Sequence, residues 1–384
     1  MNESILFLMR YFLYKERKID NFKFDEQMKS VSNMGYDVWH LGVSKKEVFI
    51  CHGGNQEKIS KIYFYGIPII SKIFTYIAIY RSTTKLLNVK SDFKYSYIRS
   101  MFPTFSYINA IKSIKKHNIK TIMEIPTYPP NKESETDLRL ARKPMYAFMK
   151  FFDKRVAKYV DLYALIGEKA NNYLGRPAIN VENGISLERL SLREPKLIDE
   201  EIHLIALAKV ARWHGYDRLI EGMYNFYKNN RKIKVILHIV GPDGDNTIEY
   251  LAGLVEKYNL NNNILFEGPM YGEELSKLCN KCDIGVAALG LYHKGFYITS
   301  ELKIREYMAR GIPFIYAGTD YALDENNKYH IKISNNDSPV DIQKVVDFAF
   351  EMRKNYKIPY EMRYYATQNM TWNKQFEKVF NLLN

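Results

Sequence analysis

Short apolar runs recur along this chain, and most are followed by a segment whose apolar residues repeat at helical spacing. No other feature constrains the fold as strongly. In the first half the strand candidates are ILFLM (5–9), YDVWHLG (36–42), YSYIR (95–99), TIMEI (121–125) and LYALIG (162–167), with helical patterns such as INAIKSIKKHN (108–118) between them. In the second half they are HLIALA (203–208), VILHIVG (235–241), ILFEG (264–268), DIGVAAL (283–289) and PFIYAG (313–318). Helices read there at roughly 217–229, 246–258, 272–281 and 300–310. Alternation of this kind builds parallel sheets covered by crossover helices, so the fold class is α/β.

The two series meet near VENGISLERL (181–190) and the polar stretch SLREPKLIDEE (191–201), the candidate linker. The expected architecture is two Rossmann-like domains facing a cleft. An N-terminal domain covers 1–185 and a C-terminal domain 186–360, and a helical tail, 361–384, packs back on the N-terminal domain. Each strand of the second series ends in a glycine-rich or polar turn, where open α/β sheets bind ligands. Neither half carries GxGxxG, so a dinucleotide cofactor is not indicated.

Charge narrows the partners. The net charge is +13, and residues 1–185 carry all of it, with 30 Lys and Arg against 17 Asp and Glu. A one-sided basic field suits a polyanion or an anionic membrane surface. The segment 56–99, with eight basic and two acidic residues among aromatics and isoleucines, reads either as a bilayer-facing stretch or as a core-packed helix pair with a solvated lysine face. The 31 Tyr and 21 Phe fit either carbohydrate and membrane surfaces or a compositional bias. No helix-turn-helix, RRM or KH pattern supports nucleic-acid binding.

MNESILFLMRYFLYKERK lacks a signal peptide's basic start and cleavage site, and the longest apolar run (62–80) is broken by Gly66, Pro68 and Lys72. A cytoplasmic protein, soluble or peripheral on the inner membrane face, is expected. Cys279 and Cys282 form a CxxC without a second ligand pair, which favours packing thiols over a zinc site. HGG (52–54) lacks the lysine and helix of a P-loop and reads as a turn.

Two segments carry chemistry. In SELKIREYMARGIP (300–313), helical spacing puts Lys303 and Glu306 on one face, and Gly311 with Pro313 closes the helix. An ionised carboxylate accepts two hydrogen bonds from a ribose diol, and Lys303 with the helix N-terminus meets a diphosphate. The same spacing also describes an ordinary surface Lys–Glu pair. In ALAKVARWHGYDRLIEGM (206–223), Lys209, Arg212 and His214 fall in a loop between strand and helix, with Gly215 permitting close backbone approach. That loop is either a second grip on phosphate or a turn with incidental charge.

Taken in order, VENGISLERL, WHGYDRLIEG, LHIVGPDG, ILFEGPMYGEELSKLCNKCDIGVAAL and LKIREYMARGIPFI resemble the donor domain of the retaining glycosyltransferases of family 4, the glycosyl transferases group 1 domain on the GT-B fold. The resemblance spans roughly 180–320. Before it the chain matches only in rhythm, with EIPTYPP (124–130) as one suggestive element. It implies a UDP- or GDP-sugar donor and a glycan or lipid-linked acceptor, such as a polyprenyl-linked one. Transfer would retain the anomeric configuration with no metal or other cofactor, the leaving phosphate helping to deprotonate the acceptor.

By residue, the resemblance implies ribose binding by Glu306 and diphosphate neutralisation by Lys209 and Arg212, with His214, Gly215 and Lys303 beside them. Backbone near Met270 and Tyr271 would meet the base. Glu124, ending the TIMEI strand, is a candidate for orienting an acceptor hydroxyl or a solvated strand-end carboxylate. Two departures stand out. The family often has a further glutamate where this chain has Ile298, so sugar contacts must come from elsewhere, with the backbone around Gly295 (293–300) as candidate. Its phosphate loop usually has lysine where this chain has His214. The subgroup marked by WHGYDR and LKxREY resembles enzymes of bacterial capsule, O-antigen and exopolysaccharide synthesis. An inactive glycosyltransferase-like partner protein is the alternative, and a basic nucleic-acid-binding protein the more distant one.

Overall fold

The computed structural model describes residues 3–14, 21–63, 67–130, 143–196, 201–229 and 232–383. The chain divides into two compact units, Met1–Glu182 with Trp372–Asn384, and Asn183–Thr371. Residues 197–200 of the expected linker lie outside the described residues, as do 64–66 of the basic segment.

The first unit runs β1 (Ser4–Phe12), α1 (Phe22–Asn33), β2 (Asp37–Val43), β3 (Glu47–His52), β4 (Asn55–Lys61), α2 (Pro68–Val89), β5 (Phe93–Arg99), α3 (Phe105–Lys116), β6 (Lys120–Tyr128), α4 (Lys143–Ala157), β7 (Leu162–Gly167), β8 (Asn172–Tyr173) and β9 (Arg176–Asn180). Its strands form one sheet in the order β4-β3-β2-β1-β5-β6-β7-β9-β8 among the described residues. The centre is parallel, and antiparallel pairs extend both edges. Strand β1 is buried on both faces, as a central parallel strand must be. Leu6 and Leu8 join the cluster that includes Ile79 and Ile111, from α2 and α3. Ile5, Phe7 and Met9 join Met28 and Val31 of α1 on the other face. The HGG stretch is indeed a turn, closing the β3–β4 hairpin with positive φ at Gly53 and Gly54.

The basic segment 56–99 becomes strand, helix and strand. Tyr76, Ile79, Tyr80, Leu86 and Leu87 bury one side of α2, so the core-packed reading holds for that helix. Much of the aromatic excess is internal too: Tyr80, Tyr95, Tyr107, Tyr163, Tyr216, Tyr307 and Tyr316 are buried.

The second unit contains β10 (Glu201–Leu207), α5 (Tyr216–Asn229), β11 (Lys234–Val240), α6 (Thr247–Lys257), β12 (Ile264–Gly268), α7 (Gly272–Lys281), β13 (Ile284–Val286), α8 (Leu302–Arg310), β14 (Phe314–Ala317), β15 (His330–Ile333), α9 (Ile342–Arg353) and α10 (Ile358–Asn369). Its sheet, β12-β11-β10-β13-β14-β15, is parallel throughout. Strand β15 was not legible as one, and DIGVAAL yields only three strand residues. Cys279 and Cys282 are buried, with their thiols pushed up by desolvation, Cys279 to about 12.

The expected single tail is two helices with different allegiances. Helix α10 belongs to the second unit, and only α11 (Trp372–Asn381) returns to the first. Trp372, Phe376, Val379 and Phe380 fall on one stripe and enter the core beside Phe7, Tyr95 and Tyr97. Each such burial is worth about 1.5–3 kcal/mol, which is why the changeover falls at Trp372 and not at 361.

Candidate functional site

The carboxyl ends of β10, β13 and β14 and the start of α8 bring the second unit's sequence candidates onto neighbouring elements. After β10 the chain runs through Lys209, makes a single 3-10 turn at Arg212–His214, and enters α5. Gly215 lies between turn and helix at φ +65°, and a Cβ there would stand 2.7 Å from the backbone N of Gly290. Glycine is needed for both reasons. Its close approach is to the loop after β13, and Leu289 N–H donates to the His214 carbonyl (2.9 Å) to seal that join.

His214 is buried, its Nδ1 3.1 Å from the Ala211 N. Its imidazole is pushed down to about 2, first by burial and then by the nearby Lys303 ammonium. It is neutral at any physiological pH and adds no positive charge to the loop.

Lys303 sits in the first turn of α8, with a side chain only 11% exposed. Its ammonium donates to the Tyr216 hydroxyl (3.3 Å) and lies 3.8 Å from the Glu301 carboxylate. Burial pushes Lys303 down to about 8, against the pull of Glu301. Glu301 occupies the N-cap position but does not cap its own helix; it accepts from Ala288 N–H at 3.1 Å. Burial raises its pKa, and Lys303 opposes that shift.

Glu306 lies in the second turn of α8 and not at its start. Arg310 Nε donates to it over 2.9 Å, and its side chain remains 24% exposed. Ile304, Arg305 and Tyr307 to Arg310 are buried, while Lys303 keeps 11% and Glu306 24% of its side chain exposed.

The other expected cations are held separately. Lys209 is exposed, its stem passing Gly244 of the turn after β11. Arg212 stacks over Tyr250 (3.8 Å) and pairs with Asp217 (3.6 Å). Glu124, in the first unit, is buried. One oxygen accepts from Lys23 (3.1 Å) and Arg99, the other from Gln27 (2.9 Å) and Tyr97 (2.7 Å). Burial raises its pKa, but Lys23 and Arg99 outweigh this and hold it at about 2. With its oxygens engaged, Glu124 fastens α1 to the sheet and offers no ready acceptor to a substrate hydroxyl.

The whole chain superimposes on known structures at low identity. Sucrose-phosphate synthase from Thermosynechococcus elongatus matches with TM-score 0.67 at 12% identity, covering 100% of this chain and 99% of that one. A trehalose-6-phosphate structure from E. coli bound with UDP-2-fluoro glucose matches with TM-score 0.62 at 10% identity, covering 99% of each chain. The lipopolysaccharide outer core galactosyltransferase WaaB matches with TM-score 0.56 at 10% identity over 100% of both chains. At these identities the likeness shows the fold. Residues 201–347, most of the second unit, match the family model Glycosyl transferases group 1. Residues 201–347 are thus a glycosyl transferases group 1 domain, within a chain of GT-B fold. Among curated proteins none matches its sequence.

Within this domain Ile298, at the position where the resemblance implies a further glutamate, forms a parallel bridge with Thr319. The N–H groups of Gly295, Phe296 and Thr299 bond to Tyr292, Leu291 and Thr319 carbonyls, so these three amides are spent within the fold. Tyr271 is exposed just before α7, while Met270 packs against the core behind α8.

Sequence reasoning missed the group that fixes α8. Arg305, fully buried, forms a two-pronged pair with Asp320 and donates to the carbonyls of Asn183 (3.0 Å) and Glu301 (3.2 Å). The Asn183 side chain donates to the Ser300 carbonyl (2.6 Å), and its N–H to the Ser300 hydroxyl (2.8 Å). The helical period already placed Arg305 on the buried side, but nothing local pointed to Asp320 as its partner.

Proposed function

We propose that this chain is a glycosyltransferase that takes a sugar from a UDP- or GDP-sugar and passes it to a glycan or lipid-linked acceptor, with retention at the anomeric carbon, in bacterial surface polysaccharide synthesis. The observation that carries the reading is Lys303: a buried ammonium beside Tyr216 and, among the described residues, one carboxylate, that of Glu301, at the strand ends of a parallel sheet. A diphosphate supplies the charge that such a lysine lacks, and Glu306, three residues further along α8, suits the ribose diol. Lys209 lies in the adjoining loop and adds to neutralisation of the leaving group. His214 and Gly215 shape that loop, while Arg212 reaches the phosphates only by leaving Asp217. Tyr271 is the exposed aromatic available to the base. Solved neighbours support a uridine nucleotide: one holds UDP-2-fluoro glucose, and another, a pneumococcal O-GlcNAc transferase, holds UDP and GlcNAc. Nothing in this scheme calls for a metal.

Calorimetric titration with UDP, GDP and ADP tests the reading. One of the first two is expected to bind, and Lys303→Ala to weaken it about tenfold, the worth of one charge-assisted hydrogen bond. The pH profile has a definite sign. The diphosphate favours the protonated amine, so affinity is level below the free-enzyme value of about 8 and falls as pH rises through it. Lys303→Ala removes that fall. Binding of no nucleotide would favour an inactive partner protein.

Membrane contact is the reading favoured by the first unit's basic excess, and α3 and α4 present a surface for it. Phe105, Phe148 and Phe151 are exposed around the ring of Phe152, Met145 is exposed earlier on α4, and Lys150, Lys154 and Arg155 are exposed on the same helix. No described helix is long and apolar enough to cross a bilayer. Flotation with phosphatidylglycerol vesicles is expected to recover the protein, and Phe148→Ser with Phe151→Ser to leave most of it behind. Equal flotation of the variant would reject this surface.

A further inference from the structure

A carboxylate at the N-cap of a helix ordinarily accepts from the first N–H groups of that helix. Glu301 holds this position on α8 and makes no such bond. Its backbone is extended (φ −76°, ψ 130°), and its side chain turns instead to the chain just beyond β13. There Oε2 accepts from the Ala288 N–H at 3.1 Å, and the same oxygen lies 3.8 Å from the Lys303 ammonium. Diverting the carboxylate gives up a stabilising cap; what it provides is a fixed negative charge beside Lys303.

The glutamate side chain is 7% exposed and the lysine side chain 11%, so solvent screens the pair little. At 3.8 Å the contact is longer than a hydrogen bond, and the ammonium donates to the Tyr216 hydroxyl of α5 (3.3 Å). The other ionisable groups that act on the pair are otherwise engaged or uncharged. Burial pushes the Tyr216 phenol well up, and His214 in the turn before α5 is neutral. Asp320, after β14, is committed to Arg305 of α8. Glu301 is thus the group that opposes the desolvation of Lys303.

We infer that Glu301 is a positioning residue of the donor site: its carboxylate keeps the Lys303 amine charged and in place until a diphosphate takes the ammonium over. The donor role rests on the nucleotide reading of Lys303; the coupling of the two charges does not. A distinctive pH signature follows. Glu301 attracts the proton of Lys303 and repels an anionic ligand. Where Lys303 is fully protonated only the repulsion counts, so loss of the carboxylate leaves nucleotide affinity equal or higher. Where Lys303 has lost its proton, the nearer attraction dominates, and loss of the carboxylate weakens binding. The two affinity profiles therefore cross.

Glu301→Gln tests this, since it keeps the shape and the acceptor for Ala288 while removing the charge. In the full chain with isotope-labelled lysine, the Nζ chemical shift of Lys303 is followed against pH without nucleotide and assigned by its loss in Lys303→Ala. The wild-type midpoint is expected at about 8. The Glu301→Gln midpoint is expected about one pH unit lower, as befits the loss of an adjacent opposite charge. Glu301→Asp, which keeps the charge, should titrate close to wild type. In calorimetry with UDP and GDP, Glu301→Gln should bind at least as tightly as wild type at about pH 6 and several-fold more weakly at about pH 9. If Glu301→Gln fails to fold, Glu301→Asn against Glu301→Asp supplies the same comparison, the two differing only in charge. An unmoved midpoint in the uncharged variant overturns the inference whatever nucleotide binds. So does an affinity loss of equal size at every pH, the mark of a purely structural role. A midpoint that moves in a chain that binds no nucleotide removes the donor role together with the donor reading and leaves the coupling, so the two failures are distinct results.

Discussion

Asp320→Ala is expected to destabilise the second unit by about 3–5 kcal/mol, the usual cost of stranding a fully buried charge. Arg305 has no exposure, and Asp320 holds it in a two-pronged ion pair. Removal of that carboxylate breaks the two-pronged pair, while the bonds to the carbonyls of Asn183 and Glu301 remain. Because those carbonyls belong to the segments that set the start of α8, nucleotide affinity should fall along with stability. Urea denaturation monitored by tryptophan fluorescence measures the first effect and calorimetry the second. A midpoint equal to wild type would show that the pair holds nothing in place. Arg305→Met/Asp320→Leu provides the control, since removing both charges should recover much of the loss.

Glu306→Ala is expected to lower kcat/KM by about 100-fold, from the loss of two charge-assisted hydrogen bonds to the ribose. The fold should survive. Glu306 is partly exposed but its i,i+4 partner Arg310 is buried, so loss of the carboxylate is expected to cost about 1–3 kcal/mol, short of unfolding the domain. Arg310 keeps its contacts with Ser191 and Ser276. Activity at the wild-type level in a folded Glu306→Ala protein would remove the residue from the donor site. Glu306→Gln, which retains one acceptor oxygen, should fall between the two.

Regular elements were legible wherever local pattern and tertiary burial agree. The runs at 5–9 and 162–167 became β1 and β7 because a buried parallel strand demands a continuous apolar segment, and such a segment reads the same in isolation. Strand β15 escaped because His330–Ile333 is half-exposed at a sheet edge, where little hydrophobicity is required. The segment 56–99 was ambiguous for a related reason. Isoleucine and tyrosine suit a membrane face and a protein core equally, and only the packing of Tyr76, Ile79 and Tyr80 decided for the core.

Taken alone, the sequence determined the α/β class, the alternation that builds two parallel-rich sheets, and the pairing of Lys303 with Glu306 on one side of a helix. These depend on interactions within a few residues, and their periodicities survive in the linear chain. The tertiary structure decided which charges are available for chemistry. Glu124 and Glu306 look alike in sequence, yet one is enclosed by Lys23, Arg99, Gln27 and Tyr97 while the other keeps an open side. Arg305 and Lys303 are two positions apart, yet one is neutralised by Asp320 and the other is buried beside Tyr216 with its ammonium pushed down to about 8. Desolvation and Coulomb energy depend on neighbours brought from distant parts of the chain, so the availability of a charge is settled only when the fold closes around it.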